Sequence, residues 1–312
     1  MSEEILINVT PQETRVAVMQ LGVVQDLYIE RSSSRGIVSN VYLGKVKRIL
    51  PGMQSAFIDI GLERTAFLHV ADIWRSSYSD DVAKPIEKTL FDGQTLLVQV
   101  IKEPIGTKGA RLSTQISIAG RLLVYLPQET HIGVSQRIES VEQRDALRAK
   151  LQAALPPEHQ GGYIIRTVAE AATDLDFQAD ISYLDKLWSN LQNAAQTASA
   201  PQLLYQELNI SLRVLRDFVG QDTTRVLIDS RSTHQKMLEF AQAYNTSAID
   251  CLEHYLGVRP LFDLYGIEEE IESALSKRVN LKSGGYLIIE NPKRWDAGQR
   301  KRLWLQLPCS LR

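Results

Sequence analysis

The sequence predicts an α+β, multidomain protein with a small β-barrel of the OB type, and three patterns predict it. Residues 36–118 form a run of short, β-branched segments separated by glycine turns. The first 30 residues hold three strand-like segments ahead of that run. Beyond residue 119, helical apolar periodicity takes over, interrupted by single strand-like segments.

In chain order, Ile5–Val9, Arg15–Val18 and Val23–Ile29 read as strands, with Gly22 placed for a hairpin turn. Arg31–Gly36 is polar and marks a boundary. Val41–Ile49, Ala56–Ile60, Ala66–Val70 and Leu96–Val100 read as the barrel strands. The polar stretch from Ser76 to Lys88 reads as a loop. Leu147, Leu151 and Leu155 recur every four residues and predict a helix, with Ser140 and Gln143 at capping-box spacing. Gly161–Val168 reads as a strand. Leu184, Leu187, Trp188 and Leu191 predict a second helix, and Gln196–Pro201 a linker. From 203 to 278 helices dominate, broken by the strand Arg225–Asp229. Ile267, Ile271, Ala274 and Leu275 form one apolar face, and Ser283-Gly284-Gly285 opens an apolar strand at Tyr286–Ile289.

Composition narrows the function classes. The 312 residues carry 35 Lys+Arg and 37 Asp+Glu, a formal net charge of −2, which argues against a nucleic-acid binder working by bulk charge. Residues 36–118 hold ten basic and eight acidic residues, so charge alone is a weak signal there as well. Two cysteines provide no disulfide framework, no apolar run is long enough to span a bilayer, and Met1–Glu4 lacks a basic leader. These features predict a cytoplasmic protein. Cys251, in an apolar helical stretch, reads as a buried inert thiol.

Signals for chemistry are sparse. No P-loop, HExxH, GxSxG or paired CxxC is present, and the five histidines have no ligand spacing. The nucleic-acid signal is stronger. Lys45, Lys47 and Arg48 lie on one predicted barrel strand; Lys102, Lys108 and Arg111 surround a glycine loop; Phe57 and Phe67 occupy corresponding places on neighbouring strands. Small barrels bind single strands through a cationic groove and aromatic faces on which bases stack. The residues alone leave two readings of the phenylalanines open: base platform or barrel core.

Several long motifs carry a resemblance. Asn8-Val9-Thr10-Pro11-Gln12-Glu13-Thr14-Arg15-Val16-Ala17, Ser55–Gly61, Gly106–Leu112, Gly133–Ser140, Gly162–Thr167 and Lys282–Glu290 together resemble the ribonuclease E/G family, nearer its G branch than its E branch. The likeness runs from residue 1 to about 290. It implies a discontinuous RNase H-like domain (1–35 and 213–278), an inserted S1 RNA-binding domain (36–118), an α/β 5′-sensor domain (119–212) and the truncated start of a catalytic domain (279–290). It also implies that Phe57, Phe67 and Lys108 contact RNA, and that Gly120, Val124, Arg166 and Thr167 form a pocket for an RNA 5′-monophosphate.

The resemblance further implies Mg²⁺ held by aspartates of a D-x-N-T-G motif and of a later segment, and a homodimer linked by Zn²⁺ through C-P-x-C. Here Asp296 is followed by Ala297-Gly298, and Cys309 follows Pro308, so no residue is carried over as a metal ligand or as catalytic. Residues 291–312 form an anomalous tail with six basic residues and one acidic residue. Codons for Pro292–Trp295, read in another frame, include the family's Glu-Ala-Met, so an out-of-frame translation is one reading of the tail, beside a basic surface helix or a frayed terminus. The expectation is the RNA-binding portion of a single-strand-specific endoribonuclease of rRNA maturation and mRNA decay, itself without catalysis and without the zinc dimer. The alternatives are a simple RNA-binding fragment, and an unstable product in which the strand at 286–289 lacks sheet partners.

Overall fold

β1 (Glu3–Val9), β2 (Glu13–Gln20) and β3 (Val23–Arg31) form an antiparallel meander. Its second turn, Leu21-Gly22, has both φ angles positive (52° and 76°), the twist that a two-residue hairpin requires. The computed structural model describes residues 2–75, 85–156, 158–220, 222–244, 246–280 and 284–288. Residues 76–84 of the expected loop, Ile289 and the whole 291–312 tail lie outside the described residues.

A closed five-stranded barrel follows, consistent with an S1/OB-type domain. It consists of β4 (Val41–Leu50), β5 (Ser55–Asp59), β6 (Ala66–His69), β7 (Thr95–Lys102) and β8 (Arg111–Ser113). The order β4-β5-β6-β8-β7 closes because β7 returns to pair with β4. Ala56, Ile58, Ala66, Leu68, Val98 and Leu112 fill its interior. A short helix, α1 (Ile86–Thr89), stands where the sequence suggested only loop, and it buries Ile86 against this core.

A four-stranded sheet comes next: β9 (Ile118–Ala119), β10 (Leu123–Leu126), β11 (Ile132–Val134) and β12 (Gly162–Ile165), ordered β11-β12-β10-β9. Two helices share a core with it, α2 (Val141–Ala154) through Leu147 and Leu151, and α3 (Asp174–Thr197) through Phe177, Ile181, Leu184 and Leu191. At α2 only half of the expected capping box forms: Ser140 Oγ accepts the Gln143 N–H at 3.2 Å, while its own proton goes to Glu142. The complete box sits on α3, between Thr173 and Asp176.

The expected linker at 196–201 is shorter than predicted, because α3 runs on to Thr197. β13 (Gln202–Tyr205) then adds to the barrel sheet beside β4. α4 (Ile210–Arg213) continues into a π-turn, Val214–Phe218. β14 (Thr223–Ile228) pairs in parallel with β1, and β15 (Leu252–His254), a strand missing from the sequence reading, pairs in parallel with β14. The resulting sheet, β15-β14-β1-β2-β3, packs Ile5, Ile7, Val226 and Ile228 against Met237 and Ala241 of α5 (Arg231–Tyr244). Cys251 ends a 3₁₀ turn rather than lying in an α-helix. It is half-buried, and its Sγ–H donates to Ala248 O at 3.1 Å.

A second unit, residues 262–312, begins within α6 (Leu261–Leu264). That unit contains α7 (Ile267–Leu275) and a ribbon of β16 (Arg278–Asn280) and β17 (Tyr286–Ile288). The predicted apolar face of α7 is not buried as a stripe: Ile267 is fully covered but Leu275 is 80% exposed. β17 has a partner in β16, which corrects the expectation of an isolated strand, although its three residues remain exposed.

At Gly109 two backbones meet. A Cβ there would lie 1.9 Å from Thr65 O, with no flexible side chain to yield. Gly109→Ala should therefore cost the barrel roughly 1–3 kcal/mol, in the range of overpacked cores. A thermal melt reads this directly, and an unchanged melting temperature would refute the contact.

Candidate nucleic-acid interface

The strand pleat decides where the barrel phenylalanines point. In β5, Ala56 and Ile58 are buried while Phe57 between them is only half-covered; in β6, Ala66 and Leu68 are buried and Phe67 is half-covered. Alternation along a strand sends neighbours to opposite faces, so both phenylalanines stand on the outside of the barrel. They are cross-strand partners, with ring centroids 6.4 Å apart at 65°. His69, two residues beyond Phe67 on the same face, extends the strip at 6.5 Å; its Nδ1 accepts the Ala71 N–H.

Lys108 is exposed on a tight loop closed by reciprocal backbone bonds with Ile105. Arg64 donates to Gly106 O in the same loop. The loop is tied to the aromatic strip because Phe67 N–H donates to Ala110 O at 2.7 Å. Lys45, Lys47 and Arg48 are exposed on β4; Lys47 reaches Asp59 at 3.1 Å. The Gly61 N–H, and then Lys47 and Lys45, hold the Asp59 carboxyl below its ordinary range.

A second constellation forms at the end of β12. Arg166 donates through Nη1 to Gly120 O and through Nη2 to Asp217 Oδ1, both at 2.6 Å. Thr167 is exposed beside it, its hydroxyl 3.4 Å from Ser135 Oγ. Val124 sits on the adjacent strand, opposite Ile164, two residues before Arg166. The structure thus bonds Arg166 to Gly120 and sets Thr167 next in the chain, while Val124 is a ladder neighbour with no side-chain bond to them.

The Gly120 amide is not free, since it donates to Leu123 O. The next three amides, of Arg121, Leu122 and Leu123, all donate to the Asp180 carboxylate at 2.9 Å. Asp180 lies on α3 and is buried. Burial raises its pKa, against the pull of those three N–H groups and of Arg166. A Cβ at residue 120 would sit 2.6 Å from this carboxylate, which explains the glycine. An anion at this site must therefore be met mainly by side chains, because the backbone nest already holds one.

The sequence reading missed Asp180, Asp217, Arg216 and Glu207. Asp180 had a detectable signal: it interrupts the apolar face made by Phe177, Ile181 and Leu184. Arg216 is 7% exposed, grips Asp217 with two bonds (3.1 and 3.0 Å) and reaches Glu207 Oε1 at 2.7 Å and Ala119 O at 3.3 Å. Burial opposes ionisation of Asp217, but Arg216 and Arg166 outweigh it and hold the carboxyl below the usual range. Among the described residues no group of three or more His, Cys, Asp or Glu could hold a metal ion, and no helix is long and apolar enough to cross a membrane.

A model of the Ribonuclease E/G family matches residues 117–293. Ribonuclease G of Escherichia coli K12 is 46% identical over 299 residues, covering 93% of this chain and 60% of the relative. Ribonuclease G of Haemophilus influenzae is 45% identical over 296 residues, with 92% and 60% covered. Ribonuclease E of Buchnera aphidicola is 38% identical over 299 residues, covering 92% of this chain and 30% of the relative. The chain thus spans about 60% of the length of the ribonuclease G relatives.

Asp180→Asn turns one acceptor oxygen into a donor facing backbone N–H groups. It should destabilise the chain by about 1–3 kcal/mol, the cost of buried donors left without acceptors. Urea unfolding of the two proteins measures this, and equal midpoints would rule out the three-amide clasp.

Proposed function

Because the chain belongs to the ribonuclease E/G family, we propose that it is the RNA-binding portion of a single-strand-specific endoribonuclease of rRNA maturation and mRNA decay, working in the cytoplasm. On this reading residues 1–35 and 213–278 are an RNase H-like domain, 36–118 an S1 domain, 119–212 a 5′-sensor domain, and 279–290 the start of a catalytic domain. The parallel pairing of β1 with β14 supports the discontinuous first domain, and the closed barrel supports the second.

The observation that carries the proposal is the outward Phe57–Phe67 pair beside the Lys108 loop. Bases stack on exposed aromatic faces with about 1–3 kcal/mol each. An exposed ammonium nearby meets backbone phosphate, and the flat ring faces accept any base, which suits binding of single strands without strict sequence demand. At the second constellation, the Arg166 guanidinium and Thr167 hydroxyl offer donors to a terminal 5′-monophosphate. A duplex end would bring bases already stacked and paired, and so gains less from the aromatic strip.

Among the described residues no group of three or more His, Cys, Asp or Glu could hold a metal ion. The proposed role of this chain is to hold RNA without cutting it and without a zinc-linked dimer. With a 5′-monophosphorylated, A/U-rich single strand and Mg²⁺, the purified chain should bind and leave the strand intact. Phe57→Ala and Phe67→Ala should each weaken binding about fivefold or more. Metal-dependent internal cleavage would overturn the non-catalytic reading, and undiminished binding by both variants would overturn the aromatic platform.

A further inference from the structure

We propose that Asp217 is a positioning residue for the Arg166 site: its carboxylate, locked by Arg216, fixes the guanidinium that reads a terminal phosphate. The inference rests on the reading of Arg166 given above, and it adds a residue that the sequence motifs do not point to.

The geometry is that of one anion between two cations. Asp217 Oδ1 receives Arg166 Nη2 at 2.6 Å and Arg216 Nε at 3.1 Å, while Oδ2 receives Arg216 Nη2 at 3.0 Å. Arg216 is itself buried and is held on its far side by Glu207 Oε1 and Ala119 O. A carboxylate gripped this way has little freedom to swing aside when a ligand arrives. Arg166 is correspondingly fixed at two points, Asp217 and Gly120 O, and its guanidinium has further N–H donors beyond these two. The planar fork thus enters binding with its orientation already set, which lowers the ordering cost of meeting a phosphate.

The same carboxylate also serves the backbone of the site. Arg216 holds Ala119 O and Arg166 holds Gly120 O, so two adjacent carbonyls are pinned by the two arginines that Asp217 joins. Without the charge of Asp217, two guanidiniums would face each other with Glu207 as the remaining carboxylate bonded to Arg216. Arg166 would keep the Gly120 O bond but lose the second point that fixes its plane. Competition between Asp217 and phosphate for the same guanidinium is the opposing possibility, and it predicts the opposite sign.

The test compares one single-stranded oligoribonucleotide carrying either a 5′-monophosphate or a 5′-hydroxyl, bound to the full chain and followed by fluorescence anisotropy. The wild type should prefer the monophosphate, and Arg166→Ala should abolish the preference. Asp217→Asn should reduce it about tenfold, the size of one charge-assisted contact, while leaving affinity for the 5′-hydroxyl strand unchanged. Should Asp217→Asn fail to fold, as judged by circular dichroism, Arg216→Lys decides. It keeps a cation but loses the two-pronged hold, and the preference should fall in the same way. A preference kept or increased in the folded Asp217 variant, or kept in the folded Arg216 variant that replaces it, overturns the positioning role, provided Arg166→Ala still loses the preference. If the wild type and Arg166→Ala treat both strands alike, the phosphate reading of Arg166 falls, and the positioning role falls with it.

Discussion

Residues 3–7 lie in parallel against residues 223–228, and the rest of the larger unit depends on that pairing. β1 is central in its sheet, with Ile5, Leu6 and Ile7 fully buried. A parallel pair needs a crossover connection, and here the crossover consists of everything from residue 10 to 222. The entropy cost of closing so long a loop grows only slowly with its length, so a barrel and a second sheet can be carried within it. The strand end is sealed by Asp229, which accepts the Val9 N–H at 2.9 Å and the Asn8 amide at 2.6 Å.

An excursion of this kind must leave and return at nearly the same place, and polar clamps mark that place. Glu103 receives the Ile37 and Val38 amides at the barrel's entry. On the return, Glu207 N–H donates to Asn40 Oδ1 at 2.9 Å, while the Glu207 carboxylate holds Arg216. Buried ion pairs add little net stability, because desolvation offsets most of their attraction. Their better-attested use is to select one arrangement over its near alternatives. The Glu207–Arg216–Asp217–Arg166 chain is placed for such a use, joining the 207 loop and the π-turn to the edge of the second sheet at Ala119 and Gly120. On the proposed function, the joint that fixes the fold is thus also the joint that supports the phosphate site.

How much of this could be read in the sequence differs by feature. The strands β1–β7 were legible because each is a short, mostly apolar segment, β-branched in all but β6, bounded by turn residues. β13 and β15 were not, since strands of four and three residues carry too few positions for a period to emerge, and their pairing partners are distant in sequence. Which way Phe57 pointed was undecidable from Ser55-Ala56-Phe57-Ile58-Asp59, where three consecutive apolar residues hide the alternation. The barrel's closure resolved it, through Ala56 and Ile58 in the core. Arg166 could be located by motif, but its partner Asp217 lies far along the chain in a π-turn, and no spacing rule connects the two. α7 shows the reverse failure: its apolar spacing is a face on paper, yet the end of that stripe at Leu275 remains in solvent.

The charge distribution sets the terms on which such a chain meets RNA. Residues 1–290 hold 29 basic and 36 acidic residues, and the tail from 291 supplies an excess of five positive charges that brings the total to −2. A surface of that balance has no general attraction for a polyanion. Non-specific affinity from many neutralised phosphates, with its steep salt dependence, is therefore not available to the body of the protein. Discrimination must come from groups that act at contact range. On the proposed function, the outward phenylalanine pair needs no charge to hold a base, and Arg166 would meet a single phosphate, with the carboxylates of Asp217 and Asp180 close by. A site so balanced gains little from an internal phosphodiester, which carries one charge. A terminal monophosphate adds charge and oxygens to meet the Arg166 donors and the Thr167 hydroxyl. On the proposed function, the acidic surroundings that look unfavourable for RNA are what would make the end of a strand distinguishable from its middle.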